Sequence, residues 1–271
     1  MKSKIKILTE DCNFNFEEVF SEKEIYSNEI NSLLKNYVKG QLKKAHEVAQ
    51  KRLENNTYKG KECAQQLSYL HDELIINYIN FLSKHLYPLN NPTEAEKISV
   101  LATGGYGRGL LAPQSDIDLL FLLPYKKTAW AEAAIENTLY FLWDLGLKVG
   151  QATRSISESL LLAEKDQTIT TSMLDARHLW GNEELSKSFK KSYREKLETM
   201  SSADFIQAKL DEREERQHKA GQSRYLVEPN IKNGKGGLRD LETLSWMTNF
   251  CYKCSRPDDM FKKGILNKDE S

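Results

Sequence analysis

The chain has 271 residues, 39% hydrophobic and 29% charged, enough to bury a substantial core in one large domain or two modest ones. Its 39 Lys and Arg balance its 39 Asp and Glu, and a net charge of zero argues against a dedicated nucleic-acid binder, which would carry a basic excess. No run approaches ~20 apolar residues, and the N-terminus MKSKIKILTEDCNFNFEEVF places acids where a signal peptide needs an apolar stretch, so no membrane span and a cytoplasmic location are expected.

Residues 22–87 read as two long helices. Ile25, Ile30, Leu33, Leu34, Tyr37, Val38 and Leu42 recur at three- and four-residue spacing, as do Leu67, Leu70, Leu74, Ile75, Tyr78, Ile79 and Leu82. The segment PLNNP at 88–92 breaks the helix and marks a first boundary. Residues 97–103 (KISVLAT) then read as a strand running into a glycine cluster, and 116–123 (DIDLLFLL) as a second strand. A helix over 130–145 and a third strand over 147–154 follow. Beyond about residue 158 the signals turn helical, through 165–179 and 205–219, and a Gly- and Asn-rich turn at 228–237 precedes a last helix over 238–252. The expected division is a helical region at 1–92, an α/β core at 93–157 and a second helical region at 158–271.

The chemistry concentrates in residues 101–123, LATGGYGRGLLAPQSDIDLLFLL. After the strand ends at Thr103, Gly104 and Gly105 let the backbone turn sharply and approach a ligand without Cβ interference. Amides of such a loop can cradle phosphate oxygens, and Arg108 could add a guanidinium. About ten residues on comes Ser115-Asp116-Ile117-Asp118. On a strand, residues two apart share a face, so Asp116 and Asp118 project together while Ile117 and Leu119 point the other way. Two close carboxylates repel unless a cation neutralises them, and Mg²⁺, which takes carboxylate and phosphate oxygens, is the natural candidate. A dinucleotide-binding loop is the competing reading of the glycines, but it needs a helix straight after them, and here Pro113 and an Asp-x-Asp strand follow.

GGYGRGLLAPQSDIDLLFLLP resembles the nucleotidyltransferase segment of the bacterial protein-PII uridylyltransferase/uridylyl-removing enzyme family, within the polymerase-β-like superfamily. LYFLWDLGLKVGQATRSISE, DQTITTSMLDARHLWG and RYLVEPNIKNGKGGLRDLETLSWM resemble later blocks of that family in the same order. The resemblance implies an α+β fold, with a polymerase-β-like nucleotidyltransferase core of a small mixed sheet and helices, flanked by helical segments. It implies transfer of UMP from UTP to a tyrosine of the PII nitrogen-regulatory protein, with release of pyrophosphate and with Mg²⁺ or Mn²⁺ as cofactor. Carried over, Asp116 and Asp118 bind metal and are catalytic, Gly104 and Gly105 hold UTP phosphates, and Ser115 hydrogen-bonds near the triphosphate.

Two departures accompany the resemblance. Superfamily members usually carry a third carboxylate on a later strand, whereas 147–154 (LKVGQATR) contains none, and Asp166 or Asp175 are the alternatives. The family enzyme also continues into a metal-dependent HD phosphohydrolase domain and two glutamine-binding ACT domains, and this chain ends before either. It is therefore expected to uridylylate without reversing the modification or sensing glutamine.

The His71-Asp72 dipeptide lies in an amphipathic helix, and the five histidines (His46, His71, His85, His178, His218) are scattered. Cys251 and Cys254 form a CxxC without a second ligand pair, and with Cys12 and Cys63 they fit a reduced compartment. Arg154, Arg177 and Arg239 either reach phosphates or pair with neighbouring acids. Gly236-Gly237 either brings backbone amides at a helix start towards the ligand or forms a packing turn, and Tyr225 and Trp246 read as core. Two rival functions remain open: a non-catalytic nucleotide- or PII-binding remnant, and transfer of another nucleotide or to another protein.

Overall fold

The computed structural model describes residues 14–17, 28–89, 91–219, 230–254 and 257–267. The start of the first expected helix, Cys12 and Tyr225 lie outside them. The chain forms two compact units, Met1–Ser159 with Asp175–Lys190, and Leu160–Leu174 with Lys191–Ser271. The helical lead and the α/β core thus fall within one unit.

The first unit contains two long helices, α1 (Asn28–Glu54) and α2 (Gly60–Phe81). Leu34, Val38, Leu42, Ala45 and Ala49 form one buried stripe of α1, and Leu67, Leu70, Leu74, Ile75, Tyr78 and Ile79 one of α2. This three-and-four spacing makes a helix with one apolar face. The Lys59 N–H donates to Glu62 Oε2 at 3.1 Å, closing the start of α2. A π-turn over Leu82–Leu86 ends it before the prolines.

Four strands follow: β1 (Ser99–Ala102), β2 (Ile117–Leu123), β3 (Val149–Ser155) and β4 (Arg177–Gly181). Their order is β3-β2-β1-β4. β1 is antiparallel to β2 and β4, while β2 and β3 are parallel. Between β1 and β2 lies the single helical turn α3 (Gly104–Gly107), and between β2 and β3 the helix α4 (Ala129–Asp144). Thr128 caps α4, its Oγ1 accepting from the Ala131 N–H at 3.2 Å.

Ile117, Leu119, Phe121 and Leu123 share one core with Val100, Ala102 and the buried stripes of α2 and α4, where the Tyr78 and Phe141 rings stack 3.7 Å apart. That parity turns Asp118 to the opposite face of the sheet. One expectation is corrected here. The sequence signals predict helix throughout residues 165–179, but the helices α5 (Ile156–Lys165) and α6 (Gln167–Leu174) give way to β4. Arg177-His178-Leu179-Trp180-Gly181 has no alternating apolar pattern of its own, and pairing along β1 makes it a strand.

After α7 (Glu183–Glu198), the second unit is helical, with α8 (Ser202–Lys219) and α9 (Leu238–Tyr252). Phe205 and Phe250 stack at 4.0 Å, the Tyr193 hydroxyl donates to the Thr170 carbonyl at 2.6 Å, and Lys209, buried, pairs with Glu212 at 2.6 Å. Trp246 is buried, as expected. Among the described residues no helix is long and apolar enough to cross a membrane.

Candidate active site

β1 delivers the chain to the glycine turn, and the Thr103 N–H still donates to the Asp118 carbonyl at 3.0 Å as it does so. Gly104 then takes φ +55°, the left-handed region where a Cβ is strained. The positive φ falls on Gly104 rather than Gly105. Asp116 is exposed just before β2, and Asp118, half-buried, is the second residue of the strand.

The Asp118 carboxylate sits between two glycines. A Cβ built on Gly104 would lie 2.9 Å from its Oδ2, and one on Gly150 would lie 2.5 Å from its Oδ1. Gly150 pairs with Asp118 in the parallel β2–β3 register. Burial, and secondly the charge of Asp116, raise the Asp118 carboxyl above the ordinary carboxylate range. Among the described residues, no side chain forms an ion pair or hydrogen bond with either carboxylate. Mutually repelling carboxylates with no cation paired to them among the described residues, one of them in a cradle a Cβ would fill, fit a divalent cation.

Arg108 donates from Nη1 to Asp175 Oδ2 at 2.8 Å, and its Nη2 would lie 3.6 Å from a Cβ on Gly105. Ser115 is exposed in a turn closed by its own N–H donating to Ala112 O at 3.1 Å. Behind it lies a cavity of about 300 Å³ lined by His46, His71, Leu111, Gln114 and Lys148.

The alternatives for a third carboxylate are both engaged. Asp166 caps α6, accepting from the Thr168 and Ile169 N–H groups at 2.7 and 3.3 Å, and Asp175 holds Arg108. β3 carries no acid. His71 bonds the Leu67 carbonyl through Nδ1 at 2.7 Å, and Asp72 pairs with Arg177 at 2.6 Å. Arg239 pairs with Glu242 at 2.9 Å. Gly236 donates to Asp240 Oδ2 at 2.9 Å, as a packing turn does. Cys63, Cys251 and Cys254 are free thiols, and among the described residues no cluster of three metal-ligating side chains exists. Sequence reasoning missed Gly150. The only signal for Gly150 was a glycine inside a strand, which often marks a close approach of another group.

A mixed sheet carrying a carboxylate pair beside a glycine turn is the architecture of a nucleotidyltransferase. Residues 89–171 match the family model described as Nucleotidyltransferase domain, and residues 204–271 that described as GlnD PII-uridylyltransferase. The chain is 50% identical over 220 residues to the bifunctional uridylyltransferase/uridylyl-removing enzyme of Caulobacter vibrioides, covering 81% of this chain and 23% of the relative. To the enzyme so named from Nitrobacter winogradskyi it is 45% identical over 236 residues, covering 87% and 25%. The chain thus carries a nucleotidyltransferase domain and a segment matching the PII-uridylyltransferase family model, and it spans about a quarter of the length of these curated relatives.

Proposed function

We propose that this chain transfers UMP from UTP to a tyrosine of a PII-type signalling protein and releases pyrophosphate. The observation that carries the reading is the Asp118 carboxylate, held between Gly104 and Gly150, beside Asp116 and with no protein cation paired to it among the described residues. Asp116 and Asp118 would hold Mg²⁺ or Mn²⁺, which when bound supplies positive charge against the triphosphate. Gly104 and Gly105 let the backbone approach the phosphates, Ser115 offers a hydroxyl to them, and Arg108 adds positive charge beside Gly105.

In the reaction the tyrosine oxygen bonds to the α-phosphorus, the bond from that phosphorus to the bridging oxygen breaks, and the tyrosine proton leaves for a base. UTP and PII as substrates rest on the family. Free thiols at Cys63, Cys251 and Cys254 suit a reducing, cytoplasmic setting. A second reading, a remnant that binds nucleotide without turnover, is favoured by one observation: β3 carries no third acid.

The test is to incubate the chain with PII and Mg²⁺ and with α-labelled UTP or ATP. Label moving from UTP to PII supports the proposal. Label from ATP redirects the nucleotide, and bound UTP with no transfer supports the remnant.

A further inference from the structure

Asp72 and Arg177 meet beneath the glycine turn. The guanidinium grips the carboxylate with two bonds, Nη1 to Oδ2 at 2.6 Å and Nη2 to Oδ1 at 3.0 Å. The same guanidinium donates from Nε to the Gly107 carbonyl at 3.2 Å and from Nη2 to the Tyr106 carbonyl at 3.3 Å. Tyr106, with no exposed surface, donates its hydroxyl to Asp72 Oδ1 at 2.6 Å. Burial, then the charge of Asp72, push its phenol far above its ordinary value, so it stays a neutral donor. One ion pair thus ties the middle of α2 and the start of β4 to both a side chain and two carbonyls of α3.

We propose that Asp72 and Arg177 are positioning residues for nucleotidyl transfer, holding the Gly104–Gly107 turn in place against the Asp118 carboxylate. The proposal rests on the functional reading above. A four-residue helical turn cannot hold itself, since nucleation costs more than its few hydrogen bonds return. Something must hold α3, and this network contacts its last two residues directly. A buried ion pair is moreover weak evidence for stability, because apolar residues of the same volume often serve as well. Its fixed fork geometry does what apolar packing does not: it sets the direction of two backbone carbonyls. Gly104 lies two residues upstream of Tyr106, and the fit between Gly104 and Asp118 leaves no room for a Cβ, so a small shift of the turn is felt at the carboxylate. Misplacement by about 1 Å costs on the order of 10²-fold in rate.

The test compares Asp72→Asn and Arg177→Lys with Tyr106→Phe, which removes only the hydroxyl. Tyr78→Phe is the control, since it deletes a partly buried hydrogen bond of 2.6 Å to Asn137 in the same unit. kcat and KM for UTP are measured with PII below each variant's melting transition, and amide exchange is followed across residues 104–108. The expected result is a loss of roughly 10- to 100-fold in kcat for Asp72→Asn and Arg177→Lys and a smaller loss for Tyr106→Phe. Tyr78→Phe is expected to lower Tm while keeping the parent kcat. Parent kcat and KM in Asp72→Asn and Tyr106→Phe, whatever their Tm, would overturn the proposal. If the parent chain itself transfers nothing, the functional reading fails, and exchange decides the positioning claim alone. Faster exchange at 104–108 in Asp72→Asn than in Tyr78→Phe supports it, and equal exchange overturns it.

Discussion

Gly150 faces Asp118 so closely that a Cβ on it would stand 2.5 Å from the carboxylate Oδ1. The contact follows from strand register, because Asp118 and Gly150 are paired neighbours on β2 and β3 and share a face of the sheet. With Gly104 on the other side, the carboxylate is set in place by the absence of two side chains.

Gly150→Ala should therefore push the Asp118 carboxylate out of position while the strand still forms, since alanine fits extended backbone. We expect transfer to fall on the order of tenfold or more, with Mn²⁺ binding weakened and the circular dichroism spectrum unchanged. Parent kcat/KM in this variant would show that the carboxylate does not depend on the cradle.

Gly104 and Gly105 should separate cleanly. Gly104→Ala carries a Cβ at φ +55° and places it 2.9 Å from Asp118 Oδ2, so it should cost about 1–2 kcal/mol of stability as well as activity. A Cβ on Gly105 meets Arg108 Nη2 at an ordinary 3.6 Å, and Gly105→Ala should stay within about 0.5 kcal/mol of the parent. Urea denaturation of the two variants checks the contrast, which equal stabilities would contradict.

The parts of this site legible in the sequence were those with local patterns. The apolar periodicity of α1 and α2, the β-rich β1 and β2, and the Asp116/Asp118 alternation each depend on near neighbours along the chain. What depended on pairing was hidden. β4 is a strand because β1 offers it an edge, not because Arg177-His178-Leu179-Trp180-Gly181 alternates. Gly150 gains its meaning from the residue opposite it on another strand. Asp72 looked like half of an HD dipeptide, and only folding brings it to Arg177, 105 residues further on.

The pH dependence of stability should report on Asp118. Its carboxyl is raised above the ordinary value by burial and then by Asp116, and in the unfolded chain it returns to that ordinary value. Between the two values the folded chain holds a proton the unfolded chain has lost, so stability falls as pH rises through that window. Metal-free parent protein should show this loss, and Asp118→Asn should lack that component. Mg²⁺ should reduce the loss by taking the place of the proton. Identical Tm–pH profiles for the parent and Asp118→Asn would contradict the assignment of the shift to this group.

The most direct measurement is the rate of label transfer from α-labelled UTP to PII in Mg²⁺ by the parent, Asp116→Asn and Asp118→Asn. Each substitution removes a negative charge with little change of shape, and neither carboxylate has a protein partner to orphan among the described residues. Losses on the order of 10³-fold are expected, about 4 kcal/mol at 1.36 per decade, with Tm in metal-free buffer equal to or above that of the parent. Transfer at the parent rate by either variant would contradict that expectation.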